Sequence, residues 1–420
     1  MTITLTDDKK DKIKVSCKTI QLKHTVNITE IAQLIGILVS SLPGVQFGKL
    51  HYRKLEIEKN LALRENKGNF EAMTSLSNGA KSELKWWVEN VDKAFKPVSH
   101  GNPSIEIRTD ASKKGWGAYL EGYTTQGLWT SSESELHINE LELKAIYFSL
   151  KAFIERLKEK HVKILCDNST VVTYINAVGG TKSPRCNQIA YDIWEYCIYN
   201  NIWLTAAHIA GVDNIEADKE SRIFNDRTEW SLKEGVFTQI TNHWGVPEID
   251  LFATRINTKL PKFVSWKPDP GSCVVDAFTI SWNSMYFYAF PPFCQIHRCL
   301  QKIAEEKVPK GILLVPYWPT QVWWPQLLKM LIAMPLVLPK HSDLLTLPHS
   351  LGNLHPLRKK LTMLACLLSG IPSKIRGFQR QLDDSSWTPG GREQQSSTAL
   401  TSQNGLTFAI RGKLITPNQL

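Results

Sequence analysis

Four carboxylates in the middle of the chain sit where folding could gather them. Asp110 closes the run Ile105-Glu-Ile-Arg-Thr-Asp110, whose alternation of apolar and polar residues is that of a half-buried strand. Asp167 follows the short apolar run Val162-Lys-Ile-Leu-Cys166. Two strands ending at one sheet edge would bring these carboxylates together. Between them, residues 138–158 read as an amphipathic helix with two competing glutamates. Glu142 shares a face with Ile138, Ala145, Ile146, Ser149 and Phe153, the stripe that must meet the sheet; Glu140 aligns with Lys144, Tyr147 and Lys151 on a solvated face. A carboxylate aimed at a sheet is costly to bury unless positive charge compensates it, and a metal ion would do so. In Ala207-His208-Ile-Ala-Gly-Val-Asp213-Asn-Ile-Glu216-Ala-Asp218-Lys, the spacing of Asp213 and Glu216 is that of a helix N-cap, which leaves Asp218, one turn in, free to join. Hard oxygen ligands without cysteine suit magnesium, with manganese as the alternative. Two such ions about 4 Å apart would activate a water and stabilise the leaving oxygen of a phosphodiester. Asp110 alone is equally an ordinary turn-former; the set of four carries the reading.

The elements that would position these groups follow in order. The strand ending at Asp110 turns at Lys113-Lys-Gly into a second strand, Trp116-Gly-Ala-Tyr-Leu120, and a third covers residues 126–131. After the helix over 138–158 come a strand at 162–166, helices at 169–177 and 187–199, a strand at 202–206, and a last helix after Asp213. Mixed strands with covering helices predict an α/β sandwich, with Trp116 and Trp129 in its core. Upstream, residues 1–24 read as one or two strands. Helices follow from Thr29 (its cap, with a stripe of Ile31, Leu34, Ile35, Leu38 and Val39), over 50–63 and over 77–95, ending at the Pro/Gly linker 96–103. Beyond Glu229 an aromatic, proline-rich region extends to about Gly370. The last fifty residues, rich in Ser, Thr, Gln and Gly, are expected to be disordered.

Composition narrows the function classes. The 420 residues suffice for two or three domains, and a formal charge of +10 with a pI near 9.1 leans toward polyanionic partners. Eight cysteines without a CxxC pair support neither a zinc site nor a disulfide framework, which points to a reducing compartment, cytoplasm or nucleus, rather than secretion. The opening residues lack a secretory signal. Met330-Leu-Ile-Ala-Met-Pro-Leu-Val-Leu338 is too short and proline-broken to cross a bilayer, so no membrane is expected as a partner.

The order strand-Asp, helix-Glu-Leu-x-Ala-Ile, strand-Asp-Asn, then Ala-His-x-x-Gly-x-x-Asn-x-x-Ala-Asp-Lys resembles the type 1 ribonuclease H family, and within it the ribonuclease H domains of retroelement reverse transcriptases. The resemblance covers about 115 residues and implies a mixed five-stranded sheet with flanking helices. It carries Asp110, Glu142, Asp167 and Asp218 onto the family's metal-binding carboxylates, and His208 onto its mobile histidine, which assists proton transfer or product release. It further implies two magnesium ions, RNA·DNA hybrid as substrate, RNA-strand cleavage and products with 3′-hydroxyl and 5′-phosphate ends. Asn168 and Ser169 could hold phosphate at a helix start, or simply cap it. Lys113, Lys114, Lys182 and Arg185 are candidate phosphate contacts.

The flanks carry weaker resemblances. Gln33-Leu-Ile-Gly-Ile-Leu-Val-Ser-Ser-Leu-Pro43 and Leu50-His-Tyr-Arg-Lys-Leu-Glu56 are similar to the connection segment of DIRS-type retrotransposons, so residues 1–100 are expected to be a helical thumb or connection remnant ahead of the domain at 104–223. Neither Asp7-Asp8 nor Asp383-Asp384 lies in the aromatic-x-Asp-Asp hairpin that polymerisation needs, and no polymerase core is expected. Residues 230–370 resemble the Dam-type adenine methyltransferase region of the same elements, a second, smaller α/β domain able to contact DNA. Phe290 stands where methyl transfer needs Asp or Asn ahead of Pro-Pro-Phe293, so this domain is expected to be inactive, with residues 371–420 as a tail. The rival expectation for the whole is a remnant that binds nucleic acid without turnover.

Overall fold

The computed structural model describes residues 1–224 and 230–385, together with the short strands Thr407–Ile410 and Lys413–Leu414. It divides into two units, Met1–Gly127 with Glu135–Ile223, and Leu128–Ser134 with Phe224–Leu420.

The first unit begins with a helix, α1 (Asp7–Leu22), where the sequence predicts strands. Lysines interleaved with apolar residues imitate alternation there, but the buried set Ile13, Cys17 and Ile20 has helical spacing, and Asp7 and Asp8 complement the positive helix start. In α2 (Ile28–Ser41) the cap is Asn27 rather than Thr29. The Asn27 side-chain oxygen accepts the Thr29 N–H at 2.7 Å. Ile31, Leu34, Ile35 and Leu38 are buried, while Val39 is exposed. Next come α3 (Arg53–Glu65) and α4 (Asn78–Asn90). Glu83 of α4 is buried, and its oxygens accept the N–H groups of Lys54 and Leu55 at the head of α3, at 3.0 and 3.1 Å. It serves as a cap supplied from another helix.

The sheet of this unit takes β1 (Ile105–Ala111), β2 (Gly115–Leu120) and β3 (Tyr123–Leu128), then, after α5 (Ile138–Ala152), β4 (His161–Cys166). Helices α6 (Ser169–Asn176) and α7 (Pro184–Tyr199) precede β5 (Trp203–His208), and α8 (Ile215–Arg222) closes the unit. The strand order is β3-β2-β1-β4-β5, with β1 antiparallel to β2 and parallel to β4, and β4 parallel to β5. This is the mixed five-stranded sheet expected. β3 starts earlier than predicted because Glu121 and Gly122, both at positive φ (47° and 89°), turn the chain at once after β2. Trp116 and Trp129 are buried. Parallel pairing runs to Arg108 opposite Leu165, and Asp110 and Asp167 each lie two residues beyond that pair, so register alone sets the two aspartates side by side.

The second unit contains α9 (Glu234–Trp244), β6 (Ile249–Asp250), β7 (Tyr286–Ala289), α10 (Ile296–Glu305), β8 (Lys310–Pro316), β9 (Leu336–Val337) and β10 (Met363–Leu368). Its main sheet runs β6-β7-β8-β10-β9 and continues into Thr407–Ile410 and Lys413–Leu414. Along β8, Leu313 and Val315 enter one core with Trp282 and Phe287, and Ile312 and Leu314 enter another with Tyr288 and Phe237, so both sheet faces are covered. Pro372–Ser385 is helix α11, within the stretch expected to be disordered; Phe378 packs on the first of these cores, which a composition averaged over the Ser- and Gln-rich tail conceals. The rest of that predicted tail lies outside the described residues, apart from the two short strands.

Candidate active site

Asp110 reaches the site from β1, buried to 3% exposure, with the Ser221 hydroxyl donating to its Oδ2. Burial first, then the charges of Asp167 and Asp218, pushes its carboxyl up to about 6. Glu142 projects from α5 and is 4% exposed; its Oε2 has no hydrogen-bond partner. Burial, then Asp110 and Asp167, pushes Glu142 up to about 9. Asp167, exposed, follows β4. One oxygen from each of these three lies within 4.8 Å of the others. A buried, unpartnered carboxylate oxygen among like charges, relieved only in small part by Arg222, is a site short of positive charge. The all-oxygen donor set fits a hard divalent cation such as magnesium or manganese.

Local chemistry explains why α5 aims Glu142 inward. His137 caps the helix, accepting the Asn139 N–H on Nδ1 at 3.2 Å, while Glu140 reaches back to the His137 N–H at 3.3 Å. Glu140 is therefore buried at the helix head, not on the solvated face that periodicity assigned it.

Asp218 lies on α8 outside the trio. Its Oδ1 accepts from Arg222 Nε at 2.5 Å, and its side chain is 42% exposed. The predicted N-cap role of Asp213 and Glu216 is overturned: Asp213 belongs to the 3-10 turn Gly211–Asp213, and Glu216 pairs with Arg108 at 3.0 Å. Asn214, just before α8, makes no side-chain cap and instead donates through Nδ2 to the Thr109 carbonyl at 3.0 Å. These contacts fasten α8 to β1. Gly117 permits the fit against β2, because a Cβ there would lie 2.4 Å from the Ala217 carbonyl oxygen and 2.6 Å from the Ser221 nitrogen. Both Ser221 and Asn214 are fully buried; Ser221 escaped the sequence reading, and Asn214 entered it only as a motif position with no role assigned. The only trace of Ser221 was the small-residue face it forms with Ala217, four positions earlier.

His208 ends β5, exposed, with Nε2 donating to the Asp167 carbonyl at 3.0 Å. Asn168 caps α6 by accepting the Val171 N–H at 3.2 Å, and its Nδ2 donates to Asn139 Oδ1 at 2.8 Å, which links the strand of Asp167 to the helix of Glu142. Ser169, first in α6, is exposed. Lys113 donates to the Leu136 carbonyl at 2.6 Å; Lys114, Lys182 and Arg185 are exposed. All eight cysteines are free thiols, and among the described residues no helix is long and apolar enough to cross a membrane.

A family model described as an RNase H-like domain found in reverse transcriptase matches residues 102–196, a span that includes Asp110, Glu142 and Asp167 and stops short of His208 and Asp218. The enzymatic polyprotein of Cauliflower mosaic virus (strain D/H) is 29% identical over 148 residues, covering 32% of this chain and 21% of the viral protein. The match thus spans about a fifth of the length of that relative. Among solved structures, RNase H1 from the halophilic archaeon Halobacterium salinarum NRC-1 is 15% identical, covering 28% of this chain and 92% of that one, with a TM-score of 0.24. LC11-RNase H1 in complex with an RNA/DNA hybrid is 20% identical, covering 28% and 93%, with a TM-score of 0.23. By the family match and the sheet that carries its carboxylates, the chain contains an RNase H-like domain of the kind found in retroelement reverse transcriptase polyproteins.

Proposed function

We propose that the first unit hydrolyses the RNA strand of RNA·DNA hybrids as a divalent-metal-dependent endonuclease of retroelement type. The observation that carries this reading is Glu142, whose buried Oε2 has no partner and lies in a cluster with Asp110 and Asp167. Those three residues would hold magnesium, or manganese in its place, with Asp218 joining from α8. Bound there, the two ions supply activation of water and stabilisation of charge on the scissile phosphate.

The chain's own groups do the rest. The adjacent ends of β1 and β4 and the inward face of α5 fix the carboxylates, and Ser221 orients Asp110. His208, held by the Asp167 carbonyl and open to solvent, moves the proton at the leaving 3′-oxygen. Asn168 and Ser169 place the head of α6 against a substrate phosphate. Lys113, Lys114, Lys182 and Arg185 follow the backbone charge. Polar groups near the β1–β2 hairpin read the 2′-hydroxyl that separates RNA from DNA. The second unit is read as a Dam-like fold that contacts DNA without methyl transfer. Its Phe290 offers no acceptor and packs beside Phe293, ring centroids 6.4 Å apart. Methylated adenine formed with S-adenosylmethionine would contradict that part.

The test is magnesium-dependent cleavage of a hybrid labelled on its RNA strand, comparing the intact chain with Asp167→Asn. Cleavage by the first alone supports the reading. Equal activity in both would mean the site is misplaced. Hybrid binding without cleavage in either would favour a binding remnant, a reading with which the engagement of Asp218 by Arg222 agrees.

A further inference from the structure

Arg222 is the last residue of α8, one turn beyond Asp218, and its Nε meets Asp218 Oδ1 at 2.5 Å. Its charge reaches further than this partner. The guanidinium pKa is raised first by the hydrogen bond to Asp218, and also by Asp110 and Asp167. A cation therefore stands at the carboxylates that would gather a divalent ion, engaging Asp218, the one outside the Asp110, Glu142 and Asp167 cluster.

We infer that Arg222 is a built-in competitor for the metal centre: it holds Asp218 in the absence of a divalent cation, releases it as the cation binds, and so sets the metal concentration at which the centre fills. This rests on the metal-centre reading above. The backbone has no part in the exchange, because α8 is fastened to β1 and β2 through Ser221, Asn214 and the close approach at Gly117. What moves is a long side chain, 60% exposed, paired with a carboxylate 42% exposed. Ion pairs of that exposure are weak and screened by salt, so a divalent ion already held by Asp110, Glu142 and Asp167 can displace the guanidinium. At the carboxyl end of α8 the freed Arg222 has a favourable resting place beside the helix carbonyls. Metal affinity separates this role from that of a plain surface pair four residues apart, which would leave metal binding untouched.

The experiment titrates manganese into the full-length chain by calorimetry, for the parent, Arg222→Gln, Arg222→Met and Arg222→Lys. Arg222→Gln and Arg222→Met should bind manganese about three- to fivefold more tightly than the parent, with the gap narrowing at high salt, and Arg222→Lys should stay near the parent. Arg222→Met keeps the packing of the side-chain stem, so a folding defect in the glutamine variant still leaves a readable one. Unchanged or weaker affinity in both neutral variants overturns the competitor role while the metal centre stands. Manganese binding by none of the four chains overturns the metal centre and this inference together.

Discussion

Glu142 in the first unit and Asp250 in the second are both almost wholly buried, at 4% and 2% exposure, and burial pushes both carboxyls up, to about 9 and about 7. Their surroundings differ. Asp250 accepts the main-chain N–H groups of Lys259 at 3.1 Å and Phe252 at 3.4 Å, so its loop satisfies both oxygens. Glu142 is relieved by the Ala111 backbone but raised by two neighbouring aspartates, and its Oε2 has no partner. Glu83 sides with Asp250: it is buried in the first unit and pushed up to about 7, yet both its oxygens accept from the head of α3. The contrast is thus between sites rather than units. Burial of a carboxylate marks structure when the backbone answers both oxygens, and marks a cation site when one oxygen is left without a partner among like charges.

The largest effect that would break this contrast concerns activity. Asp110→Asn should lower magnesium-dependent hybrid cleavage by at least about 100-fold while leaving thermal stability intact. Asp250→Asn should leave cleavage per folded molecule unchanged. Next, Gly117→Ala should destabilise the first unit by about 1–3 kcal/mol in denaturant unfolding, since the new Cβ meets the α8 backbone. Cleavage should fall with it as Asp218 and Ser221 shift. Asp250→Ala should destabilise the second unit by about 1–3 kcal/mol by stranding two partly buried N–H groups, with no effect on metal binding.

The smallest effect is a pH slope. Folding raises the Asp250 pKa from 3.8 to about 7, so in that window the folded chain binds more protons than the unfolded one. The contribution to stability is then present below the window and is lost as pH rises through it. Melting temperatures measured between pH 4 and pH 7 should show that decline, and Asp250→Asn should make it shallower by the share of this one carboxyl.

Much of the first unit was legible because its signals are local. Alternation located β1 and a short apolar run located β4, and two residues of register beyond Arg108 and Leu165 bring Asp110 level with Asp167. The helical face aimed Glu142 at the sheet, where it lies. The same reasoning misread Glu140, because a capping box pulls the third residue of a helix back toward its start. α1 was misread because its lysines mimic alternation around a helical stripe. The contacts of Ser221 and Asn214 were invisible for another reason: each acts on a strand more than a hundred residues away, and no local pattern announces such a contact, even though Asn214 stands in the motif that carries the resemblance. The pairing of Asp218 with Arg222 was equally hidden, since four-residue spacing permits the contact without requiring it.

The most direct measurement is thermal unfolding of the intact chain and of Glu142→Gln, each with and without magnesium. Magnesium should raise the unfolding midpoint of the first unit in the intact chain, and Glu142→Gln should be at least as stable without the ion yet gain nothing from it. An equal rise in both chains, or no rise in the intact one, would contradict the claim that Glu142 is a buried charge answered by a divalent cation.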